Sequence, residues 1–416
     1  MRNLAISMLV LAVVLLLMRA GMQPLEVEIK PAANDLPAGA RVEWKLASTF
    51  GEPAEQLNPT QPNPWLKEYS DGGFLEIAGL SAGEEEVFVT DTGLSRIQVF
   101  SREGEHLRNI GTGIPIREVL PTDIEFYLED SMVTKDIPRF NDILGPLFRD
   151  KYRGIFQAAD VEITPDGWYM ADMLRTGDRQ GDNRKASLLW FGNDGSVGRF
   201  NITSIIWPGY IAAEGKQVFL SEPEGNATYW CERDGNNPAE WKIGFPTNST
   251  QYGEILRTKE SYFGHRRYNS LMAQWQRTSQ APGEYSRVGG MDFGFDKLVV
   301  CDSGNARIQI YDASGRDQTR RNSLVRTLPG VRRDGELRFA VPLDIAIDDN
   351  DGQMYVLDSS RLEVAILDDH FNRIGAFGLG DLNSPRAITI SPDGNDIYVS
   401  DDGDQCVYHY ACADRR

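Results

Sequence analysis

An all-β chain made of one repeated four-stranded unit is what the sequence predicts, and three observations predict it. The stretch Glu86-Val-Phe-Val-Thr-Asp-Thr-Gly-Leu-Ser-Arg-Ile-Gln-Val-Phe-Ser-Arg-Glu-Gly-Glu105 recurs in altered form as Leu298-Val-Val-Cys-Asp-Ser-Gly-Asn-Ala-Arg-Ile-Gln-Ile-Tyr-Asp-Ala-Ser-Gly315. Self-similarity of this kind marks a unit that cannot bury its apolar face alone and must stack on copies of itself. Apolar and polar residues alternate between Gly, Asp and Pro turns through most of the chain, as short half-buried strands do. The last copy also runs out of chain before its fourth strand, while a strand-like segment stands alone near the N-terminus.

Aligned on the strand that ends in an acid, the sequence yields six copies. The first runs from Phe74 to Gly111, and the second from Ala158 through Tyr169-Met-Ala-Asp172 to Phe200. The third spans Pro208 to Gly244 through Val218-Phe-Leu-Ser-Glu222. The fourth spans Gly289 to Pro329, the fifth Pro342 to Gly378, and the sixth opens at Pro385-Arg-Ala-Ile-Thr-Ile. Beyond Cys406-Val-Tyr-His-Tyr410 no room remains for a further strand. Val42-Glu-Trp-Lys-Leu-Ala-Ser-Thr-Phe-Gly51 is expected to fill that edge and close the ring, which leaves only short, protected edges.

From Val42 to Tyr410 the chain resembles the NHL-repeat family of six-bladed β-propellers, best at Asp91-Thr-Gly-Leu-Ser-Arg-Ile-Gln-Val-Phe100 and Asp302-Ser-Gly-Asn-Ala-Arg-Ile-Gln-Ile-Tyr311. The acids Asp91, Asp172, Asp302, Asp358 and Asp401 are expected to cap their own turns, because an Asp side chain bonds backbone two residues on. The expected organisation is a signal anchor or signal peptide over residues 1–24, a tether over 25–40 and the propeller over 41–416. Insertions at 112–157 and 245–288 interrupt the period.

The N-terminal expectation rests on the apolar run from Leu4 to Met18, flanked by Arg2 and Arg19. Neither Met18 nor Arg19 suits a signal-peptidase site, so an uncleaved anchor competes with cleavage. Such an N-terminus implies export, with the propeller membrane-anchored in a periplasmic or extracellular space. The formal charge of −18 argues against nucleic acid, which needs clustered Lys and Arg. Four cysteines at 231, 301, 406 and 412 lack zinc-ligand spacing. Cys406 and Cys412, the closest pair, are the candidate disulfide in an exported chain.

Long loops on a rigid scaffold are where recognition usually resides. The second insertion brings basic and aromatic residues into an acidic protein, with Tyr262, Phe263, Arg266, Arg267, Trp275 and Arg277 as candidate partner-binding residues. Either a helix packed over the propeller or a docking face for an acidic partner or lipid head groups accounts for them.

Candidate chemistry is sparse. Of the four histidines, His106, His370 and His409 fall on repeat turns or the last strand, away from a central axis. The near-axis position of the inner strands is read as Glu76, Asp160, Tyr210, Met291, Asp344 and Ala387. Glu76, Asp160 and Asp344 converging there would hold calcium, or be satisfied by water or Arg386. Gly79-Leu-Ser-Ala-Gly83 matches the nucleophile-elbow pattern, but a strand follows where a helix is required. The expectation is a non-catalytic interaction module, a tethered accessory or scaffold subunit of an envelope or membrane complex. The alternative is a divalent-metal-dependent hydrolase or lyase with its site at the channel mouth.

Overall fold

A computed structural model describes residues 43–60, 68–111, 113, 158–175, 184–202, 208–223, 227–233, 241–244, 282–283, 285–312, 323–332, 335 and 337–412. The chain divides into a unit of residues 1–40 and a unit of residues 41–416. The first, with the expected apolar helix and the whole of the tether, lies outside the described residues, as do nearly all of both insertions. Among the described residues no helix is long and apolar enough to cross a membrane.

The described residues form six four-stranded antiparallel sheets, the blades of an all-β six-bladed propeller. Blade 1 runs Ile77–Ala82, Glu86–Asp91, Arg96–Ser101 and His106–Gly111; blade 2 runs Ala158–Thr164, Gly167–Arg175, Arg184–Gly192 and Val197–Ile202. Blade 3 runs Ile211–Glu214, Gln217–Glu222, Ala227–Arg233 and Trp241–Gly244; blade 4 runs Val288–Gly294, Lys297–Asp302, Arg307–Asp312 and Ser323–Pro329. Blade 5 runs Pro342–Ile347, Met354–Asp358, Glu363–Leu367 and Arg373–Phe377. Blade 6 holds Pro385–Ile390, Asp396–Asp401 and Cys406–Cys412, and its outer strand is Trp44–Phe50, paired with Cys406–Cys412.

The core lies between blades rather than at the axis. Period-two alternation sends successive side chains of one strand to opposite neighbours. In blade 4, Leu298 and Val300 pack with Phe219 of blade 3, while Val299 and Cys301 pack with Ile345 and Val356 of blade 5. Comparable clusters fill the other boundaries, and Trp190, Tyr169 and Tyr229 occupy the one between blades 2 and 3. Each blade thus buries both faces, as the repeat pattern requires.

In blades 1, 4, 5 and 6 the acid that ends the second strand reaches back to the segment that leads to the inner strand. Asp91 accepts the Leu75 N–H at 3.2 Å, Asp302 the Ser286 N–H at 2.7 Å, Asp358 the Val341 N–H at 3.1 Å and Asp401 the Ser384 N–H at 2.9 Å. In blades 5 and 6 the acid also caps its own turn as expected: Asp358 accepts the Ser360 N–H at 3.1 Å and Asp401 the Gly403 N–H at 2.9 Å. In blades 1 and 4 the Arg-Ile-Gln strand meets the acid instead. Arg96 Nε donates to Asp91 at 3.1 Å and Arg307 Nε to Asp302 at 2.6 Å, with Gln98 and Gln309 beside them. There the short 3-10 turns that follow have no side-chain cap.

Cys406 and Cys412 stand at opposite ends of one seven-residue strand, about 20 Å apart at the rise of an extended chain, and both are free. They do not form the expected bridge. Ser81 of the Gly79–Gly83 pattern lies on an inner strand, and its Oγ accepts the Ile163 N–H of blade 2 at 3.0 Å.

Candidate functional site

The inner strands of all six blades wall an axial cavity of about 640 Å³. Its lining begins at the level of Asp160, Ile211, Asp344 and Ile388 and runs to the hairpins between first and second strands. Among the described residues that line it, eight are acids and none is Lys, Arg or His. Asp160, Glu162, Asp292 and Asp344 lie deep in it. Glu214, Asp296, Asp348 and Asp349 sit on the hairpins at the open mouth, where the half-exposed ring of Phe295 joins them.

Backbone register decides which residues reach the axis. Ile77 lies opposite Asp91 and Leu80 opposite Val89; Val288 lies opposite Asp302 and Met291 opposite Val300, with a bulge within each pair. The position equivalent to Asp160, Tyr210, Asp344 and Ala387 is therefore Gly79 in blade 1 and Gly290 in blade 4, rather than Glu76 and Met291. Around the ring this position reads Gly, Asp, Tyr, Gly, Asp, Ala, nearly a two-fold repeat of three blades.

Each glycine makes room for the carboxylate of the next blade. A Cβ on Gly79 would stand 1.8 Å from Asp160 Oδ1, and one on Gly290 would stand 1.7 Å from Asp344 Oδ1. The two acids spend both oxygens on main-chain donors. Asp160 accepts the N–H of Val161 at 2.9 Å and of Ile211 at 2.8 Å; Asp344 accepts that of Ile345 at 2.9 Å and of Ile388 at 2.8 Å. Asp292 does likewise with Phe293 and Ile347, both at 2.7 Å.

Tyr210 stands beyond the other end. It crosses from blade 3 to the opposite blade 6, where its hydroxyl donates to the Arg386 carbonyl at 3.4 Å. The Arg386 guanidinium pairs with Asp402 at 2.9 Å. Glu76 is on this side, half-buried, and its charge acts on Arg386.

Electrostatics follow from burial among like charges. Desolvation pushes Asp160 up to about 7 against the opposing hydrogen bonds from Ile211 and Val161. Desolvation, then the charge of Asp160, raises Asp344 well above the usual carboxylate range, although its two backbone hydrogen bonds oppose the shift. Glu162 rises in the same way, through desolvation and then Asp292 and Asp160, while a hydrogen bond with Ser81 opposes the rise.

Among the predicted ligands, Asp160 and Asp344 share the cavity and Glu76 stands apart beside Arg386. Calcium takes six to eight oxygens at roughly 2.3–2.6 Å, whereas both oxygens of Asp160 and of Asp344 already face N–H donors. Among the described residues no three His, Cys, Asp or Glu side chains are grouped to hold a metal ion. The candidate partner-binding residues Tyr262, Phe263, Arg266, Arg267, Trp275 and Arg277 lie outside the described residues. Glu162, Glu214, Asp292 and Asp296 escape sequence reading because only the sheet register shows that they share the cavity.

Fold and site together define a six-bladed β-propeller with an acid-lined axial cavity. No family model matches the sequence, and no curated protein matches it. Among solved structures the chain is similar to a protein of unknown function from Bacteroides thetaiotaomicron, at 10% identity over 89% of this chain and 76% of that one, with a TM-score of 0.49. It is also similar to virginiamycin B lyase from Staphylococcus aureus, at 13% identity over 89% and 99% of the two chains, TM-score 0.45. A streptogramin B lyase aligns at 10% identity over 87% of each chain, TM-score 0.42. The propeller assignment rests on this chain's own sheets.

Proposed function

We propose that the channel is a non-catalytic interaction site and the chain an interaction module of the NHL-repeat type, an exported, membrane-tethered accessory or scaffold subunit whose channel mouth receives basic side chains of a protein partner. One observation carries the reading: among the described residues, the cavity wall bears eight acidic side chains and no cation. An acidic funnel attracts positive groups and focuses the field at its opening. The Leu4 to Met18 run supports the tether, and the 245–288 insertion with Tyr262, Phe263, Arg266, Arg267, Trp275 and Arg277 is a second contact face.

The alternative, a divalent-metal-dependent hydrolase or lyase using Glu76, Asp160 and Asp344, has less support. It needs free oxygens where Asp160 and Asp344 hold the main chain.

The test is titration of the full chain in detergent with a fluorescent oligolysine peptide. Glu214→Gln, Asp296→Asn and Asp349→Asn together should weaken binding about tenfold, taking roughly 0.5 kcal/mol per rim charge, and added salt should weaken it further. Binding that ignores both the triple substitution and salt would overturn the reading.

A further inference from the structure

Outside the channel, the seam between the outer strand of blade 6 and its neighbour carries an uninterrupted relay of three side chains. Ser48 Oγ stands 3.2 Å from His409 Nδ1, and His409 Nε2 stands 2.8 Å from Asp396 Oδ1. The second Asp396 oxygen bonds Arg102, which arrives from the third-to-fourth strand turn of blade 1.

The parts are held rather than merely close. Asp396 and His409 are buried, Ser48 is half-buried, and its neighbours Ala47 and Thr49 are exposed. The imidazole stacks on Tyr398 at 4.8 Å and 18°, and the Tyr398 hydroxyl donates to the Arg102 carbonyl at 3.0 Å. Burial alone would raise the Asp396 pKa, but the bonds from His409 and Arg102 outweigh it and hold it below the usual range. An ionised Asp396 keeps the imidazole proton on Nε2, so Nδ1 presents its lone pair to the serine hydroxyl.

A β-bulge sets Ser48 in place. The register slips between Leu46 and Ser48, so that Leu46 lies opposite Tyr410 and Ser48 opposite His409. Before the bulge Trp44 packs toward blade 5, and after it Phe50 packs toward blade 1. Without the extra residue Ser48 would face away from His409. Bulges that re-aim a single side chain are over-represented next to active sites.

We propose that Ser48, His409 and Asp396 form a reactive-serine site at this seam, with small activated esters as its substrates. Ser48 Oγ attacks the carbonyl carbon while its proton passes to His409 Nδ1. The C–O bond to the leaving group breaks, and that oxygen takes the proton from His409. Water then attacks the acyl group with His409 again as base, releasing the acid and regenerating Ser48. Asp396 acts through His409 and is a positioning residue. The site is separate from the channel, and its failure would leave the channel reading untouched.

The test treats the full wild-type chain with a small fluorophosphonate and maps the adduct by peptide mass spectrometry. In this probe Oγ attacks phosphorus and fluoride leaves. The adduct should sit on Ser48 and disappear in Ser48→Ala. Its rate should fall about a hundredfold in His409→Gln, the scale of a lost general base. Hydrolysis of p-nitrophenyl acetate should follow the same order. Ser48 labelling in the wild type no faster than at other serines would overturn the proposal whatever the variants do, as would an unchanged rate in a folded His409→Gln protein.

Discussion

The carboxylate of Asp344 accepts the backbone N–H of Ile388 across a blade boundary at 2.8 Å. Asp160 does the same to Ile211 at 2.8 Å and Asp292 to Ile347 at 2.7 Å, while the hydroxyls of Ser81 and Thr389 accept Ile163 and Ala82 at 3.0 and 3.3 Å. These side chains satisfy inner-strand donors that have no β-partner on the channel side. They make the channel acids part of the framework as well as of its charge.

The glycines beside these latches are predicted to be intolerant. Gly290→Ala and Gly79→Ala each force a Cβ into a carboxylate that is fixed by two N–H groups. Each should cost about 1–3 kcal/mol, the scale of overpacking, read as a lower urea midpoint. Asp344→Ala should cost at least as much, because it orphans two buried donors.

Stability should fall as the solution is taken from about pH 4.5 to 7.5. Asp160, at about 7 when folded against 3.8 ordinarily, keeps its proton in a window where the unfolded chain has released its own. Folding is therefore favoured at the acid end of that window and the advantage is lost as pH rises. Glu162 and Asp344 shift in the same direction. The depressed Asp393 and Asp396 work oppositely, but their contribution is lost only below the ordinary carboxylate value. Urea midpoints across this range should decline in the wild type and decline less in Asp160→Asn.

Arg96→Met should be far more damaging than loss of an exposed ion pair, because Arg96 is itself buried. It leaves Asp91 ionisable, fully buried and without its cation, a loss of about 3–5 kcal/mol. Asp91→Asn in the same background should recover part of it, since the uncompensated charge is gone. Thermal melts of the single and double variants measure both effects.

Trp44→Ala should destabilise by about 3–5 kcal/mol, as large aromatic truncations in cores do. Trp44 sits edge-on to Tyr355 at 5.4 Å and stacked on Phe377 at 5.8 Å, so the outer strand of blade 6 is anchored on blade 5. Chemical denaturation with a truncation of residues 1–40 as control separates this anchor from anything upstream.

Much of the fold is legible in the residues. The Asp-turn-Arg-Ile-Gln signature locates blades 1 and 4, where a cation and an amide at fixed spacing along the next strand meet the buried acid. Alternating apolar residues locate the strands of the other blades. The channel was legible only in part. Asp160 and Asp344 are legible, but the inner strands of blades 1 and 4 enter the register at Ile77 and Val288 rather than at Phe74 and Gly289, which hides Gly79 and Gly290 behind Glu76 and Met291.

The sequence by itself determined the repeated strand unit, its six copies and the sites of the turns, because these depend on neighbours a few residues apart. Tertiary structure alone decided which side chains meet: Tyr210 with Arg386 across the axis, and Ser48 with His409 over a separation of 361 residues. A slip of one residue turns every side chain of a strand to its other face. Such slips arise at bulges, whose positions are set by packing between blades rather than by the local pattern of the chain.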